Sequence, residues 1–329
     1  MLKQATLKKL TSSKNLLAFS AGGDSTALLF LLLENDITFD IAIVDYGLRL
    51  QSKEEVNYAL SLADRYGFKC FVHTASLPVS NFEAKAREVR YNFFEELISQ
   101  HSYDNLLTAH HLGDRFEWML MQFCKGAGCV ELTGMQESNK RSNYTLERPL
   151  LHLDKSELLN YLQEKNIQYF EDDSNNDEKY KRNYFRTQHT KPLLEKYIKG
   201  IKKSFEYMDE DSASLHQKAS IKEIDDFAYF IASSKRSDIT NIDRYLKTKG
   251  FLITAQEREL LKRKKTVVIS RKLVINQEHG FVFIAPYLKD LDMPKEFKEK
   301  MRILKVAPKL RPYIYKKVEL QKLIISLLS

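Results

Sequence analysis

The chain is poor in cysteine and has no long apolar segment. Its three cysteines, Cys70, Cys124 and Cys129, form no C-x-x-C pair, so the sequence lacks the spacing of a zinc site or a disulfide framework. The longest apolar run, 27–33, is far too short to cross a bilayer. The opening residues MLKQATLKKL hold no apolar segment of signal-peptide length. These absences predict a cytoplasmic protein with no membrane partner.

Basic side chains outnumber acidic ones in the second part of the chain, but not in the first. The length of 329 residues favours two domains, and 43% hydrophobic residues are enough for two cores. Residues 1–195 carry 23 basic and 27 acidic side chains, whereas residues 196–329 carry 29 basic and 17 acidic. Such a surplus is typical of a surface that meets nucleic acid, although a solvated lysine-rich surface gives the same count. We predict one domain over 1–195 and a basic, nucleic-acid-binding domain over 196–329.

The stretch LLAFSAGGDSTALLFLLL, residues 16–33, lacks both the lysine of a Walker loop and the G-x-G-x-x-G spacing of a dinucleotide turn. It has a short apolar run typical of a strand, a turn of small residues, and an apolar run of helical length. Small residues let the backbone approach an anion, and the N–H groups of a helix N-terminus point at it. The stretch therefore predicts a phosphate-binding loop formed by Ser20, Ala21, Gly22, Gly23, Asp24 and Ser25.

This loop resembles the S-G-G-x-D-S motif of the PP-loop ATP pyrophosphatases, which cleave ATP between its α and β phosphates. The resemblance implies ATP and Mg²⁺ as cofactors. Asp24 is then a contact for Mg²⁺ or substrate, because a carboxylate beside a triphosphate needs a cation between them. Ala21 stands where this family usually has its first glycine; its methyl group is tolerated if φ is negative, but it narrows the room near the phosphate. An ordinary glycine-rich turn is the alternative.

Apolar runs alternate with helical patterns through the first part of the chain. Strands are predicted near 16–19, 41–45, 69–73 and 105–109, separated by helices over 26–33, 54–66 and 82–99 and followed by one over 113–124. This alternation predicts an α/β fold with a doubly wound parallel sheet, Rossmann-like in form. Ligands of such sheets bind beyond the carboxyl ends of the strands. We therefore expect the loop, Asp45, His73 and the segment 110–114 on one rim.

From about residue 200 the pattern changes to helices with basic faces. A hairpin is predicted over 266–284, with its turn at 277–280. The second domain is thus expected to be smaller and mainly helical, with one β-hairpin.

The segment TAHHLGDRFEWMLMQFCKGAGCVELTGM, 108–135, resembles T-A-H-H-x-x-D-x-x-E-T and R-G-x-G-x-x-G-L-x-G of the tRNA(Ile)-lysidine synthetases. AKAREVRY at 84–91, ERPLL at 147–151 and EDDSNNDEKYKRNYFR at 171–186 match that family in the same order. The resemblance implies a ligase that joins free L-lysine to C2 of the wobble cytidine (position 34) of tRNA(Ile) with a CAU anticodon. The reaction would pass through an adenylated tRNA and release AMP and diphosphate.

The resemblance also implies the catalytic residues Asp24, Asp114, Glu117, Arg87 and His111. Asp114 and Glu117, at i and i+3, share a helix face, can hold the lysine ammonium, and offer a general base. A solvated helix surface is the alternative for this pair.

Arg87, with Arg90 as the alternative, would neutralise a phosphate or the lysine carboxylate. Asp45 and His110 would contact the nucleotide. Either His110 or His111 would stabilise the leaving phosphate, and the sequence leaves that choice open.

Besides Ala21, five positions depart from the family pattern. Gly113 replaces an aspartate, Trp118 a threonine, Lys125 an arginine, and Asp45-Tyr46 stands in place of Asn-His. These departures leave Asp24, Asp114 and Glu117 in place.

Two groups of cations are predicted to bind the tRNA. Arg182 and Arg186 lie in a segment that resembles the family's tRNA-proximal loop. In the second domain, cations mix with apolar or aromatic residues in RELLKRKK and KVAPKLRPYIYKK, which contain Arg263, Lys264, Lys265 and Arg311. Phosphate contacts of this kind position an RNA without specifying bases. This half resembles the family more weakly and is expected to lack the last module of its longer members.

Other functions remain open. A PP-loop tRNA thiolase shares the loop, but that chemistry usually needs paired cysteines. NAD and GMP synthetases share it without a basic half, and a non-catalytic RNA-binding protein on a degenerate nucleotide fold is a further alternative. The sequence does not fix the oligomeric state, for which a homodimer is one possibility. Its preference for lysine over another amine rests on the resemblance alone.

Overall fold

A computed structural model describes residues 1–47, 51–76, 82–171, 181–215, 219–289 and 291–328. The chain folds into two compact units, Met1–Ser212 and Ala213–Ser329. The predicted boundary at residue 195 lies inside the helix Lys191–Leu215. The observed division therefore falls further along the chain than the predicted one.

The first unit contains a six-stranded sheet with helices between its strands. The strands are β1 (Asn15–Ala18), β2 (Phe39–Asp45), β3 (Cys70–Thr74), β4 (Asn105–Leu107), β5 (Ser138–Lys140) and β6 (Thr145–Glu147). The helices are α1 (Gln4–Thr11), α2 (Gly23–Leu33), α3 (Gln51–Tyr66), α4 (Phe82–His101), α5 (Leu112–Phe123), α6 (Cys129–Thr133), α7 (Lys155–Glu164), α8 (Lys181–Phe185) and the start of α9 (Lys191–Leu215), with a π-helical turn at Arg186–Thr190.

The strand order is β3-β2-β1-β4-β6-β5, and every neighbouring pair is parallel except β5 with β6. This confirms the predicted doubly wound parallel sheet. The chain runs outward from β1 through β2 to β3 and then returns to β4 on the other side of β1. Ligands of such sheets bind at this reversal, beyond the carboxyl ends of the strands. The segments that follow β1 and β4 therefore meet at the expected ligand crevice.

Helix α2 anchors the phosphate loop in the core. Leu28, Leu29 and Leu32 are fully buried, and the helix has no polar face beyond its first turn. A helix that is apolar all round belongs inside the protein, and α2 packs against α7. The N-terminus of α2 is thereby held at the crevice by buried apolar contacts.

The second unit contains a five-stranded antiparallel sheet of order β7-β8-β11-β10-β9. Its strands are β7 (Lys222–Ile224), β8 (Phe227–Ile231), β9 (Thr266–Ile269), β10 (Leu273–Glu278) and β11 (Phe281–Pro286). Its helices are α10 (Lys235–Thr248), α11 (Ala255–Arg263), α12 (Lys295–Ile303), α13 (Arg311–Tyr315) and α14 (Val318–Leu328).

The hairpin predicted over 266–284 is present in its second part, as β10 and β11 joined by His279 and Gly280. Its first part, 266–269, is the separate strand β9, and a five-stranded sheet replaces the expected single hairpin. Both turn residues have positive φ, +57° and +73°, as a two-residue type I′ turn requires. Strand β8 was not predicted because both faces of the sheet are covered. Its consecutive residues Phe227 and Ala228 point to opposite faces and enter separate apolar clusters. A strand buried on both faces shows no alternation of polar and apolar residues.

Within the described ranges, no helix combines the length and apolar character needed to span a bilayer.

Candidate active site

The phosphate loop connects the carboxyl end of β1 to the first turn of α2. The hydroxyl oxygens of Ser20 and Ser25 lie 3.1 Å apart, and Ser25 Oγ donates to the carbonyl of Gly22 at 3.0 Å. Gly22 precedes α2 without a side-chain cap. The first N–H groups of a helix have no partner within the helix and favour an anion. The loop therefore has the backbone geometry of a phosphate site.

Glycine at position 23 lets α7 approach the loop closely. A Cβ atom on Gly23 would lie 3.1 Å from Cδ2 of Leu159 and 3.4 Å from Cδ2 of Tyr169. The backbone N–H of Phe170 donates to the carbonyl of Ala21 at 3.0 Å. The segment after α7 thus fixes the back of the loop.

A negative φ at Ala21, the condition under which its methyl group would be tolerated, is not observed. Its φ is +59° and its side chain is fully buried. This left-handed region costs a residue with a Cβ atom about 1 kcal/mol or more, a cost that glycine avoids. The loop keeps its conformation in spite of the methyl group because both flanking elements are packed in the core.

Asp24 faces the crevice from the first turn of α2. Its Oδ1 atom is buried and has no hydrogen-bond partner in the described part of the chain. Its Oδ2 atom lies 3.8 Å from Nε2 of His111. A buried carboxylate oxygen without a partner is expensive, and a cation bridging to phosphate would satisfy it. Mg²⁺ usually binds through one or two carboxylates together with substrate phosphates, so Asp24 fits the predicted Mg²⁺ contact.

His111 caps α5 and links the two halves of the site. Its Nδ1 accepts a hydrogen bond from the N–H of Gly113 at 3.0 Å, and Asp114 Oδ2 accepts one from the His111 N–H at 3.1 Å. Because Nδ1 accepts, the proton of the neutral ring lies on Nε2. That atom is 3.6 Å from Asp114 Oδ2 and 3.8 Å from Asp24 Oδ2. The imidazole therefore stands between the phosphate loop and the acid pair.

Asp114 and Glu117 are paired with Arg182 and Arg186. Arg182 donates from Nε to Glu117 Oε1 and from Nη2 to Asp114 Oδ1, the latter at 3.0 Å. Arg186 Nε donates to Glu117 Oε2 at 2.9 Å, and its Nη2 lies 3.6 Å from Asp114 Oδ1. The Glu117 side chain is only 2% exposed. The pair is thus buried rather than on a solvated helix face.

The contacts of Arg182 and Arg186 with the acid pair were not predicted from the sequence. Arg182 and Arg186 were expected to bind tRNA, yet both contact the acid pair. They follow Asp114 and Glu117 by more than sixty residues, so no local pattern indicates the contact. The segment 172–180 of the same predicted loop lies outside the described residues.

Charge around Asp114 keeps it ionised. Burial alone would raise its pKa, but His111, His110, Arg182 and the hydrogen bond from the His111 backbone outweigh burial and hold the pKa well below its usual range. Three carboxylates, Asp24, Asp114 and Glu117, face two guanidinium groups across this cluster. A residual negative charge is therefore available for a bound cation.

His110 is held neutral. Burial lowers the pKa of His110 to about 4, and its Nδ1 lies 2.9 Å from the hydroxyl of Thr108. A neutral ring at physiological pH can hydrogen-bond a nucleotide but carries no charge toward a phosphate.

Two other predicted residues of the first unit do not join this cluster. Asp45 ends β2, and its Oδ1 accepts from the N–H of Gly47 at 2.8 Å. Arg87 is exposed and lies over the ring of Tyr91, with its guanidinium carbon 4.7 Å from the ring centre. The structure does not bring Arg87 into contact with Asp24 or the acid pair.

The predicted RNA-binding cations of the second unit differ in exposure. Arg263 and Lys264 are exposed, and Lys265 forms an ion pair with Glu278 at 2.8 Å. Arg311 is half-buried and donates from Nε to the carbonyl of Val306 at 2.9 Å. That contact favours a bracing role for Arg311 between α12 and α13 over the predicted RNA contact.

Sequence reasoning missed the buried Arg115. Its guanidinium donates to the carbonyl of Thr133 at 3.2 and 3.3 Å and to both carboxylate oxygens of Asp209. It also lies over the ring of Phe205. Arg115 ties α5 to the last residue of α6 and to α9. In the sequence, only its position two residues before Glu117 indicates that Arg115 lies near the site.

The chain matches the PP-loop domain family over residues 2–193. It is 43% identical to the tRNA(Ile)-lysidine synthase of Campylobacter jejuni, over 95% of this chain and 96% of that protein. It is 43% identical to that of Wolinella succinogenes, over 94% of each chain, and 41% identical to that of Helicobacter pylori, over 94% of this chain and 91% of that protein.

A U34-tRNA thiolase from Methanococcus maripaludis has a similar solved structure. The TM-score is 0.52 at 15% identity, covering 66% of this chain and 80% of that chain. That likeness concerns the PP-loop fold alone, whereas the sequence relatives extend through both units. The chain therefore belongs to the tRNA(Ile)-lysidine synthase family of PP-loop proteins.

Proposed function

We propose that this protein uses ATP to ligate free L-lysine to C2 of the wobble cytidine in tRNA(Ile) with a CAU anticodon. The observation that carries the proposal is the position of His111, within 4 Å of both Asp24 and Asp114. Because His111 contacts both residues, the phosphate loop lies next to the buried, negatively charged acid pair. A reaction that activates RNA with ATP and then admits an ammonium group needs these two sites next to each other.

The phosphate loop would hold ATP with the α phosphate in the crevice. The backbone from Ser20 to Ser25 supplies N–H groups, and Asp24 would hold Mg²⁺ through its unpartnered oxygen. Bound Mg²⁺ supplies positive charge that neutralises the phosphate oxygens. Attack by the C2 carbonyl oxygen of cytidine on the α phosphate then expels diphosphate and leaves an adenylated tRNA.

The second step is attack of the lysine ε-amine on C2, which expels AMP. The acid pair is suited to hold the incoming ammonium, but both oxygens of Glu117 already accept from arginines. Lysine therefore reaches the pair by replacing an arginine contact. The released guanidinium would then be free to pair with the lysine carboxylate or a phosphate.

The low pKa of Asp114 bears on its role. A carboxylate with a strongly depressed pKa is a poor proton acceptor, because general bases work best near the operating pH. We therefore assign Asp114 to holding charge, which leaves Glu117 as the general base of the pair once an arginine has moved away.

The thiolase alternative fits these residues less well. Burial raises the pKa of the Cys70 thiol to about 11, so it is protonated at neutral pH and a weak nucleophile. In the part of the chain that the structure describes, no three His, Cys, Asp or Glu side chains are grouped for a metal ion. Cys70 is thus poorly suited to handling sulfur.

Measuring AMP release tests the proposal against its alternatives. The full chain is supplied with ATP, Mg²⁺ and a tRNA(Ile) transcript, with lysine or a sulfur donor added separately. We expect AMP in proportion to lysine transferred. AMP with the sulfur donor alone would favour the thiolase, and tRNA binding without any AMP would favour a non-catalytic protein. Such a reaction belongs in the cytoplasm, where tRNA, ATP and free lysine meet.

A further inference from the structure

Trp118 is the only tryptophan of the chain and stands directly after the buried Glu117. It lies one helical turn beyond Asp114 on α5, so these two residues share a face of the helix. Its side chain is 43% exposed. An indole that is exposed to water next to a polar cluster forgoes the free energy of burying its apolar surface. A ligand that covers the ring would recover that free energy.

One side of the indole is held by backbone. A Cβ atom on Gly134 would lie 2.5 Å from Cδ1 and 3.0 Å from Nε1 of Trp118. Gly134 has φ +58° and ψ −114°, a conformation that residues with a Cβ atom avoid. Glycine at position 134 therefore brings the backbone directly against the ring.

The backbone at Thr133 and Gly134, which contacts the indole, is held in place by Arg115. Arg115 donates from Nε and Nη2 to the carbonyl of Thr133, the residue before Gly134. Arg115 is in turn held by Asp209. The Cδ1–Nε1 side of the indole is therefore held by fixed backbone while much of the side chain stays exposed, so little conformational entropy is lost when a flat ligand stacks on it.

We propose that Trp118 is the stacking surface for a nucleobase of the single-stranded anticodon loop. Bases in RNA loops are unstacked and are commonly bound on aromatic side chains. The proposed reaction must bring one loop base to the acid pair, and Trp118 is the exposed aromatic residue adjacent to it in the chain. This inference rests on the proposed function, because an RNA substrate supplies the base.

The test uses the full-length protein and its own fluorescence. An RNA hairpin whose loop contains CAU is titrated while tryptophan emission is recorded, and the titration is repeated with hairpins lacking one loop base at a time. We expect saturable quenching that is lost when one particular base is missing. Unchanged emission at saturating hairpin, or quenching that survives every base removal, would overturn the proposal.

Kinetics of two variants complete the test. Stacking on an aromatic residue contributes about 1–3 kcal/mol per base, so Trp118→Ala should raise the KM for tRNA roughly 5- to 150-fold. Trp118→Phe should recover most of this loss, and the KM for ATP should not change. Phe123→Ala is the matched control, since Phe123 is 65% exposed on the same helix but about 140° further around it.

Equal tRNA KM values for Trp118→Ala and Phe123→Ala would contradict the stacking role. Lysine transfer by the unaltered protein at saturating tRNA tests the proposed function separately. Failure of the proposed function is therefore distinguishable from failure of this inference.

Discussion

Gly113 and His111 are so close that a side chain at position 113 would displace the imidazole. A Cβ atom on Gly113 would lie 2.7 Å from Cε1 of His111. The missing side chain therefore allows His111 to fold over the start of α5 and reach both Asp24 and Asp114. This departure from the family pattern thus helps to position a predicted catalytic residue.

Gly113→Ala should reduce activity although alanine favours helices. A glycine-to-alanine change inside a helix usually stabilises a protein by about 0.5–1 kcal/mol. Here we expect the new methyl to push the imidazole off its cap, with loss of about 1 kcal/mol of stability and a lower kcat for AMP release. Gly200→Ala is the matched control, because nothing lies within 4 Å of a Cβ atom there. Equal thermal midpoints for the two variants would contradict the steric account.

Ala21→Gly should stabilise the protein. Removing the methyl relieves the left-handed conformation, and we expect a gain of roughly 1 kcal/mol and a rise of the unfolding midpoint by about 2–4 °C. Gly23→Ala tests the opposite case, since its Cβ would crowd Leu159, and should lower the midpoint. Thermal unfolding followed by circular dichroism measures both. A lower midpoint for Ala21→Gly would show that the positive φ carries no cost.

Asp24→Ala should abolish AMP formation while tRNA binding survives. The change removes the proposed Mg²⁺ contact from the phosphate loop but leaves the predicted RNA-binding cations untouched. Activity is measured as AMP release and binding as retention of labelled tRNA. Loss of both together would contradict the proposed separation of nucleotide and RNA sites.

Glu117→Gln should act on the lysine step. The amide keeps the shape of the side chain but cannot accept a proton from the lysine ammonium, so we expect the kcat for lysine transfer to fall about 100-fold or more. The KM for ATP should change little, because the phosphate loop is intact. A larger effect on ATP than on lysine would assign Glu117 to the nucleotide instead.

His110 should make the stability of the first unit depend on pH between about 6.5 and 4. Its folded pKa is about 4, whereas an unfolded histidine titrates near 6.5. Within that window the unfolded chain binds the extra proton, so stability falls as the pH falls. His110→Gln should flatten this slope, as measured by urea unfolding at several pH values. Asp114 contributes at lower pH, because its pKa is depressed below the usual carboxylate range. An unchanged slope in His110→Gln would place the titration elsewhere.

Local features of the fold were predictable from the sequence. The strand, loop and helix around Ser20 to Ser25 lie within one short stretch, and the alternation of apolar runs sets the parallel sheet. The conformation of Ala21 was not predictable, because it depends on packing of the flanking elements. The pairing of Glu117 with Arg182 and Arg186 was missed because it joins distant segments. Strand β8 was missed because cover on both faces removes the alternation that identifies a strand.

Incorporation of labelled lysine into tRNA tests the central claim most directly. The protein is incubated with ATP, Mg²⁺ and labelled lysine, and an isoleucine tRNA with a CAU anticodon is compared with a methionine tRNA carrying the same anticodon. We predict label in the isoleucine tRNA alone, resistant to mild base and accompanied by an equal amount of AMP. Label in neither tRNA, or equal label in both, would contradict the account.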